Sequence, residues 1–440
     1  WRLAASSPSF SLVVSGVKAV SLASRLFGST SRPFGPTLAR RIKSLIDDDD
    51  LPASVVVDST DAVEIYEQGK ALFEEGLEER NGGKLKEAFP LLSKAAALDH
   101  TEAMAMVARC FEEGLGVATN PKTAVEWSRR AANRGDVQSM VRLSKLLSRG
   151  ISAKREHEKA FKWSEVALSK SRDPEVLCLA AGFYSQGKGT EANPEEAFAL
   201  FKEAAEKGHA YAMRMVSGAF MQGKGVEPSN ALGLYWLREA ARHGDSRSCY
   251  KLGMMYRRGK HAVERDDVES VKWLDEAAMG GDRRAAYELA FCLERGVGVD
   301  VDRERARAIY QLLADEGLGK AMVSLGKMYE RGRGVKRNAF EAMHLYRKAA
   351  LQGNKDPRAA AEGAYRYAFF FERGVDVKRS EESALYWYDM AKRMGSSRAQ
   401  ERMDAIEQER EEREKGEQHE ESEAGAAADS DSNVGNKAEK

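Results

Sequence analysis

Small and apolar residues recur along the middle of the chain at the spacing of one face of an α-helix. In the segment that opens at Ala321, the residues Met322, Leu325, Gly326 and Tyr329 fall on a single stripe. Polar and charged residues fill much of the remainder of this segment. Because an α-helix has about 3.6 residues per turn, this periodicity predicts an amphipathic helix with one buried face.

A glycine and a second apolar segment follow this predicted helix. Gly332 should end it, because glycine adopts the left-handed conformation of a helix cap at little cost. The second segment carries an aromatic residue, Tyr346, followed by Ala349 and Ala350, which pairs a large side chain with small ones. The unit therefore predicts a helix, a turn and a second helix, and most units close with another glycine.

The same frame recurs at a spacing of 36 or 37 residues for most copies. If the opening residue is position 0, small residues at position 5, such as Gly253 and Gly326, should let a neighbouring helix approach closely. A degenerate copy spans residues 62–98, and an insertion near residues 354–357 stretches the copy at Ala321. The remaining copies open near Ala103, Ser139, Val176, Ala212, Ser248, Ala285 and Gly363.

One such helix pair cannot bury its own apolar face, whereas stacked pairs bury a continuous interior. The sequence therefore predicts an all-α superhelical solenoid of about nine helix-turn-helix repeats over residues 62–398.

The frame resembles the Sel-one-like repeat family, whose members are related to tetratricopeptide α-solenoids. The pattern LGxxYxxGxG stands almost intact from Leu325 to Gly334, and the aromatic residue with paired alanines recurs in most copies. This resemblance implies a right-handed superhelix that acts as an adaptor or scaffold. Two copies depart from the pattern, at Gly150-Ile151-Ser152 and at Gly259-Lys260-His261, and there we expect altered turns.

The two ends of the chain differ in composition from the repeats. Residues 1–46 are rich in Ser and Ala and carry seven Lys or Arg but no Asp or Glu, which is typical of an organellar targeting segment. We expect a mitochondrial location, with plastid, cytoplasm and endoplasmic reticulum as alternatives. An acidic linker at 47–61 precedes the repeats. A charged helical extension at 399–416 and a disordered acidic tail at 417–440 follow them.

Charge and hydropathy limit the classes of partner. The 440 residues include 69 Lys or Arg and 69 Asp or Glu, so the basic excess typical of nucleic-acid binders is absent from the sequence as a whole. No apolar run is long enough to predict a transmembrane segment. We therefore expect protein partners, no nucleic acid and no membrane span, and the oligomeric state is left open.

Candidate chemistry in the sequence is sparse. Five repeats contain Gly-x-Gly, but a phosphate-binding loop would follow a strand, and here the glycines recur at one position of a helical repeat. The four cysteines lack metal-ligand spacing, and the seven histidines are scattered. We therefore predict no catalytic residue, no metal site and no cofactor. The competing class, an enzyme built on a solenoid, would need a convergent cluster of polar groups with perturbed pKa values.

The inner surface of the first helices gives the sharpest functional hypothesis. Positions 2 and 6 of these helices should point toward the concave side, and large apolar groups there could clamp a peptide. The alternative is that they pack between repeats. The copy at Ala212 carries Arg214 and Gly218 instead. The candidate residues of this concave face are Tyr250, Met254, Tyr287, Phe291, Tyr365 and Phe369.

Together these observations predict a non-enzymatic scaffold or adaptor for protein interaction. We expect it in an organelle, as an assembly factor or a subunit of a larger complex. The alternative is an adaptor of a ubiquitin-ligase or signalling complex in the endoplasmic reticulum or cytosol.

Overall fold

The structure, a computed structural model, describes residues 59–150, 156–260, 263–353 and 355–435. Nineteen helices and no strand form within these ranges. The first ten are α1 Ser59–Glu78, α2 Gly82–Ala97, α3 Thr101–Glu113, α4 Pro121–Asn133, α5 Val137–Arg149, α6 His157–Lys170, α7 Pro174–Gln186, α8 Pro194–Glu206, α9 Ala210–Gln222 and α10 Asn230–Arg242. The others are α11 Ser246–Arg258, α12 Asp267–Met279, α13 Arg283–Arg295, α14 Arg303–Asp315, α15 Gly319–Arg331, α16 Ala339–Ala350, α17 Pro357–Arg373, α18 Glu381–Arg393 and α19 Ser397–Gly435.

Each helix packs on the helix before it and on the helix after it. The odd-numbered helices from α3 to α17 are the first helices of the repeats, and the even-numbered ones are their partners. The largest group of packed buried side chains runs from Leu237 to Phe370, across several helix pairs. This interior, shared between successive pairs, confirms the predicted all-α solenoid.

Left-handed glycines end the first helix of every repeat from α3 to α17, as the sequence predicts. At the end of α13, for example, Gly296 has φ 73° and its N–H donates to the carbonyl of Cys292. A second glycine of positive φ, such as Gly281 after α12, lies in the turn to the next repeat. The glycine pattern of the sequence therefore sets the helix ends.

The second glycine of the Gly-x-Gly motif has a packing role. Gly298 has φ 69°, and a Cβ atom placed there would lie 2.0 Å from the carbonyl oxygen of Asp267, at the start of α12 in the preceding pair. Only a residue without a side chain allows this approach. In the last repeat Asp376, with φ 55°, occupies the corresponding position.

Of the two repeats that depart from this pattern, one motif is described only up to Gly150 and the other only up to Lys260. Their altered turns therefore stay a prediction.

Close approach at position 5 is confirmed by Gly326. A Cβ atom there would lie 2.7 Å from the ring of Tyr346, which is fully buried. The Tyr346 hydroxyl donates to Glu330 at 2.6 Å. The neighbouring repeats reproduce this bond at Tyr310 and Tyr388, so a buried tyrosine ties the two helices of each C-terminal pair together.

The ends of the array differ from its middle. Residues 1–46, with the expected targeting segment, lie outside the described residues, as does most of the linker. At the other end, Ala399 and Ile406 are buried against the last pair, and residues 407–416 are exposed. The helix α19 nevertheless continues to Gly435, through much of the segment predicted to be a disordered tail. Its Glu, Arg and Ala residues favour a helix even without tertiary contacts.

No helix among the described residues combines the length and the apolar character that a membrane crossing requires.

Candidate partner-binding groove

The six residues of the predicted concave face lie on three first helices, α11, α13 and α17, and all six are half-buried. The row is interrupted at α15, where Val323 and Lys327 occupy the same positions. The six residues divide by their contacts into three kinds.

Two tyrosines pack against neighbouring tyrosines. The ring centroids of Tyr287 and Tyr310 are 5.6 Å apart, and the Tyr287 hydroxyl lies 3.2 Å from the hydroxyl of Ser324 in the next repeat. Burial raises the pKa of Tyr287. Tyr365 packs in the same way on Tyr388, at 5.4 Å. Both tyrosines therefore contribute to the packing of the array itself.

The two phenylalanines are covered by arginines. The Arg295 guanidinium lies 4.4 Å from the ring centroid of Phe291, and Arg257 approaches the same ring to 4.8 Å. Arg373 lies 4.5 Å from the ring of Phe369. These cation–π contacts occupy the aromatic faces that a partner would use.

Tyr250 and Met254 instead line an open groove of about 790 Å³ between α8, α9, α11 and α13. The groove lies over Gly218 of α9, where an added Cβ atom would meet no atom within 4 Å. Gly218 occupies position 6 of its repeat, the place that Met254 fills in the next repeat. A missing side chain thus opens the groove, whose apolar wall also includes Phe198, Phe201 and Met215.

Basic side chains alternate with the apolar ones along the groove. On α11, Arg247, Tyr250, Lys251, Met254 and Arg258 follow the i, i+3, i+4 spacing of one helix face. No Asp or Glu is among the described residues that line the groove. The three remaining cations come from other parts of the array and are Arg214, Lys224 and Arg284.

Two of these cations already have carboxylate partners. Arg214 pairs with Asp245 at 2.9 Å, and Arg284 pairs with Asp282 at 2.7 Å while its guanidinium lies 4.6 Å from the Tyr250 ring centroid. Both aspartates also accept backbone N–H bonds at helix starts.

The other four cations of the groove form no ion pair with a carboxylate in the described part of the chain. Arg247, Arg258 and Lys224 are exposed, whereas Lys251 is half-buried and its ammonium contacts the Met221 sulfur at 3.3 Å. Burial, and then the nearby charge of Arg214, lower the pKa of Lys251. An anion in the groove would relieve this unfavourable environment.

A neighbouring cavity of about 780 Å³ lies over Gly182, the position-6 residue of the preceding repeat. Its lining has mixed charge, since Asp173 and Glu175 accompany Lys145 and Lys188. Of these two neighbouring cavities, the groove over Gly218 is therefore the one lined by cations without a carboxylate.

The cavity over Gly182 also contains a Cys–His contact that the sequence analysis missed, because the two residues are far apart in sequence. The Cys178 sulfur lies 3.5 Å from Nδ1 of His209. That nitrogen accepts the Ala212 N–H at 3.3 Å and so caps α9. Burial, with a contribution from Glu175, raises the pKa of the Cys178 thiol to about 12. At neutral pH the sulfur is therefore a thiol, which is a poor nucleophile.

Among the described residues, no three His, Cys, Asp or Glu side chains are grouped so that they could hold a metal ion.

Comparison with known proteins agrees with this architecture. The family model described as Sel1 repeat matches eight segments within residues 101–396, so α1, α2 and α19 are the described helices that lie wholly outside them. The matched residues are 101–136, 137–170, 175–209, 210–245, 246–282, 283–318, 319–354 and 361–396.

Curated relatives are longer proteins. Chitin synthase regulatory factor 3 of Schizosaccharomyces pombe is 29% identical over 328 residues, which cover 73% of this chain and 27% of that protein. Chitin synthase regulator SKT5 of Saccharomyces cerevisiae is 25% identical over 312 residues, 67% of this chain and 38% of that protein. The chain thus spans well under half the length of these two relatives.

Solved structures share the fold. A protective antigen of uropathogenic Escherichia coli strains that displays an SLR fold has a TM-score of 0.60 and 27% identity, covering 72% of this chain and 67% of that one. A Sel1 repeat protein of Oxalobacter formigenes has a TM-score of 0.53 and 22% identity, covering 77% and 93%.

Proposed function

The chain belongs to the Sel1 repeat family, and from this premise we propose that it is a non-catalytic adaptor that binds a partner protein and regulates it. The observation that carries the proposal is the series of eight matched repeats between residues 101 and 396, which in this family points to protein interaction. Two relatives named as regulators of an enzyme, chitin synthase, support a regulatory role. Because the chain covers only part of each relative, we do not propose that it binds the partners of those proteins.

The groove over Gly218 supports the same proposal at the level of side chains. It combines exposed cations with apolar side chains that line an open groove, and Met254 lies there at the position where later repeats carry the arginine-covered Phe291 and Phe369. Aromatic residues and arginines contribute strongly to protein interfaces.

The test first recovers the enzyme complex that co-purifies with the full-length chain. The purified full-length chain is then titrated into that complex while the enzymatic activity of the complex is measured. We expect a saturable change at stoichiometric amounts of the chain. The double variant Cys178→Ala with His209→Asn should behave like the wild type, because Asn also caps a helix start. Loss of the effect in this variant, with binding retained, would instead favour a catalytic role.

The location is a separate proposal. We propose that residues 1–46 direct the protein to mitochondria, on the basis of their Ser, Ala and Arg composition without acids. Deletion of these residues should abolish import and leave the repeat array folded. An unchanged location would contradict the proposal and favour the alternative, an adaptor in the cytosol or endoplasmic reticulum.

A further inference from the structure

We propose that the groove over Gly218 binds an acidic segment of the partner protein in which apolar side chains alternate with carboxylates. The proposal rests on the proposed adaptor function and specifies the chemistry of what that adaptor binds. The charge of the groove, its apolar wall and the contrast with the equivalent surface of later repeats support it.

The charge of the groove complements an acidic ligand. Six basic side chains and no acidic one line the groove, and four of them form no ion pair with a carboxylate within the described residues. Cations brought this close repel one another unless an anion lies between them. Carboxylates satisfy arginine and lysine through short, charge-assisted hydrogen bonds.

The exposed face of α11 differs from those of α13 and α17 in the residue at position 6 and in what the following arginine contacts. Where position 6 is Phe291 or Phe369, the arginine four residues later stacks on that ring. At α11 position 6 is Met254, and Arg258, four residues later, has no aromatic or carboxylate partner among the residues described. The arginine that later repeats use for internal packing is therefore available here to a ligand.

The apolar wall of the groove also limits which ligand fits. On α11, Tyr250 and Met254 alternate with the basic residues, and Phe198 and Met215 also line the groove. A ligand made only of charged groups would leave this apolar surface exposed to water. A peptide that alternates carboxylates with side chains such as Leu or Phe would cover both kinds of surface.

Nucleic acid and lipid fit the groove less well. The positive region is short, because the adjacent cavity contains Asp173 and Glu175, whereas a nucleic-acid backbone needs a longer basic track. Lys251 and Arg214 are half-buried between helices, so a flat lipid surface would not reach them. An acidic peptide meets both constraints.

The test measures binding of a fluorescent peptide in which Glu and Asp alternate with Leu and Phe to the full-length chain. We expect saturable binding that weakens with added salt. The matched peptide with Gln and Asn in place of the acids should bind at least about tenfold more weakly, because it loses the charge-assisted hydrogen bonds to the basic side chains. Equal binding of the two peptides would overturn the proposal.

Two variants locate the site. Gly218→Leu fills the groove without strain, since Gly218 is helical and faces open space, and it should weaken the acidic peptide at least about tenfold. The matched control is Gly182→Leu, which fills the neighbouring cavity at the same repeat position and should change the affinity less than about twofold. Wild-type affinity in Gly218→Leu would contradict the proposal.

Charge reversal supplies an independent test. Lys251→Glu should weaken the acidic peptide, whereas Lys348→Glu, the same charge change at an exposed site on α16, should not. Tighter binding of single-stranded RNA or of anionic lipid vesicles than of the acidic peptide would overturn the assignment.

The groove assignment and the adaptor function can be contradicted independently of each other. If the native partner is still captured and regulated while the acidic peptide does not bind, the groove assignment is wrong and the adaptor function stands.

Discussion

Glycines with the same left-handed backbone meet very different surroundings in this chain. Gly281 has φ 83°, and an added Cβ atom would touch nothing within 4 Å. Gly298 has φ 69°, but its Cβ atom would collide with the backbone of Asp267. The first position requires glycine for its conformation alone, and the second also for the contact between successive helix pairs.

This difference predicts unequal effects of the same substitution. Gly281→Ala should lower the free energy of unfolding by about 1 kcal/mol, which is the cost of a left-handed alanine. Gly298→Ala should cost about 3 kcal/mol or more, because the turn must also move away from α12. Urea unfolding followed by circular dichroism measures both variants. Equal losses of unfolding free energy in the two variants would show that the close contact between Gly298 and Asp267 does not contribute to stability.

The buried tyrosine hydroxyls give a second prediction at this scale. Tyr346→Phe removes a 2.6 Å hydrogen bond to Glu330 and should cost about 1–2 kcal/mol of unfolding free energy. Tyr310→Phe is the matched variant, with a longer bond of 3.4 Å to Glu294, and it should cost less. The reverse order of the two losses, measured by urea unfolding, would contradict this assignment.

At the scale of elements, carboxylates connect the last helices. Glu362 on α17 pairs with Lys327 on α15 at 3.1 Å and with Arg366 at 2.7 Å. Glu372 on α17 accepts from Arg402 on α19 at 2.6 Å and from the Tyr388 hydroxyl on α18 at 2.5 Å. Burial alone would raise the pKa of both carboxyls, but these partners outweigh it and hold the pKa below its usual range.

These lowered pKa values set the sign of a pH effect. A carboxyl whose pKa is lower in the folded state stabilises that state above its unfolded pKa of about 4.3, and this contribution is lost as the pH falls through the folded value. We therefore expect the hydrogen-exchange protection factors of α15, α17 and α19, which correct for the intrinsic pH dependence of exchange, to fall below about pH 4. Glu362→Gln should accelerate exchange at neutral pH and differ little from the wild type in acid. A constant difference at all pH values would contradict this account.

Helix positions could be predicted from the sequence because one signal repeats many times. The glycine after each first helix marks its end, and the small residue at Gly326 correctly indicated close packing, here against Tyr346. Contacts between different repeats could not be predicted in the same way. Cys178 and His209 meet only because successive pairs stack in a particular register, which no local pattern encodes.

The candidate site was predictable only in part, for the same reason. Tyr250 and Met254 follow from helical periodicity, and the same spacing could have identified Arg247, Lys251 and Arg258. The sequence also showed Gly218 where later repeats carry a large side chain. That this gap opens a groove depends on how α9 and α11 lie side by side, which required the coordinates.

At the scale of the whole molecule, balanced charge conceals a local excess. The chain has 69 basic and 69 acidic residues, yet six basic side chains and no carboxylate are among the described residues that line the groove over Gly218. Basic and acidic residues balance when the whole chain is summed, whereas the exposed faces of single repeats differ in charge. A solenoid can therefore keep one interior and vary its binding surface repeat by repeat.

The most direct test of the account compares how much native partner is retained by the full-length wild-type chain, by Gly218→Leu and by Gly182→Leu, at equal protein concentration. We predict that Gly218→Leu loses most of the partner, while Gly182→Leu and the wild type retain it equally. Full retention by a correctly folded Gly218→Leu chain would contradict the claim that the repeat array binds its partner through this groove.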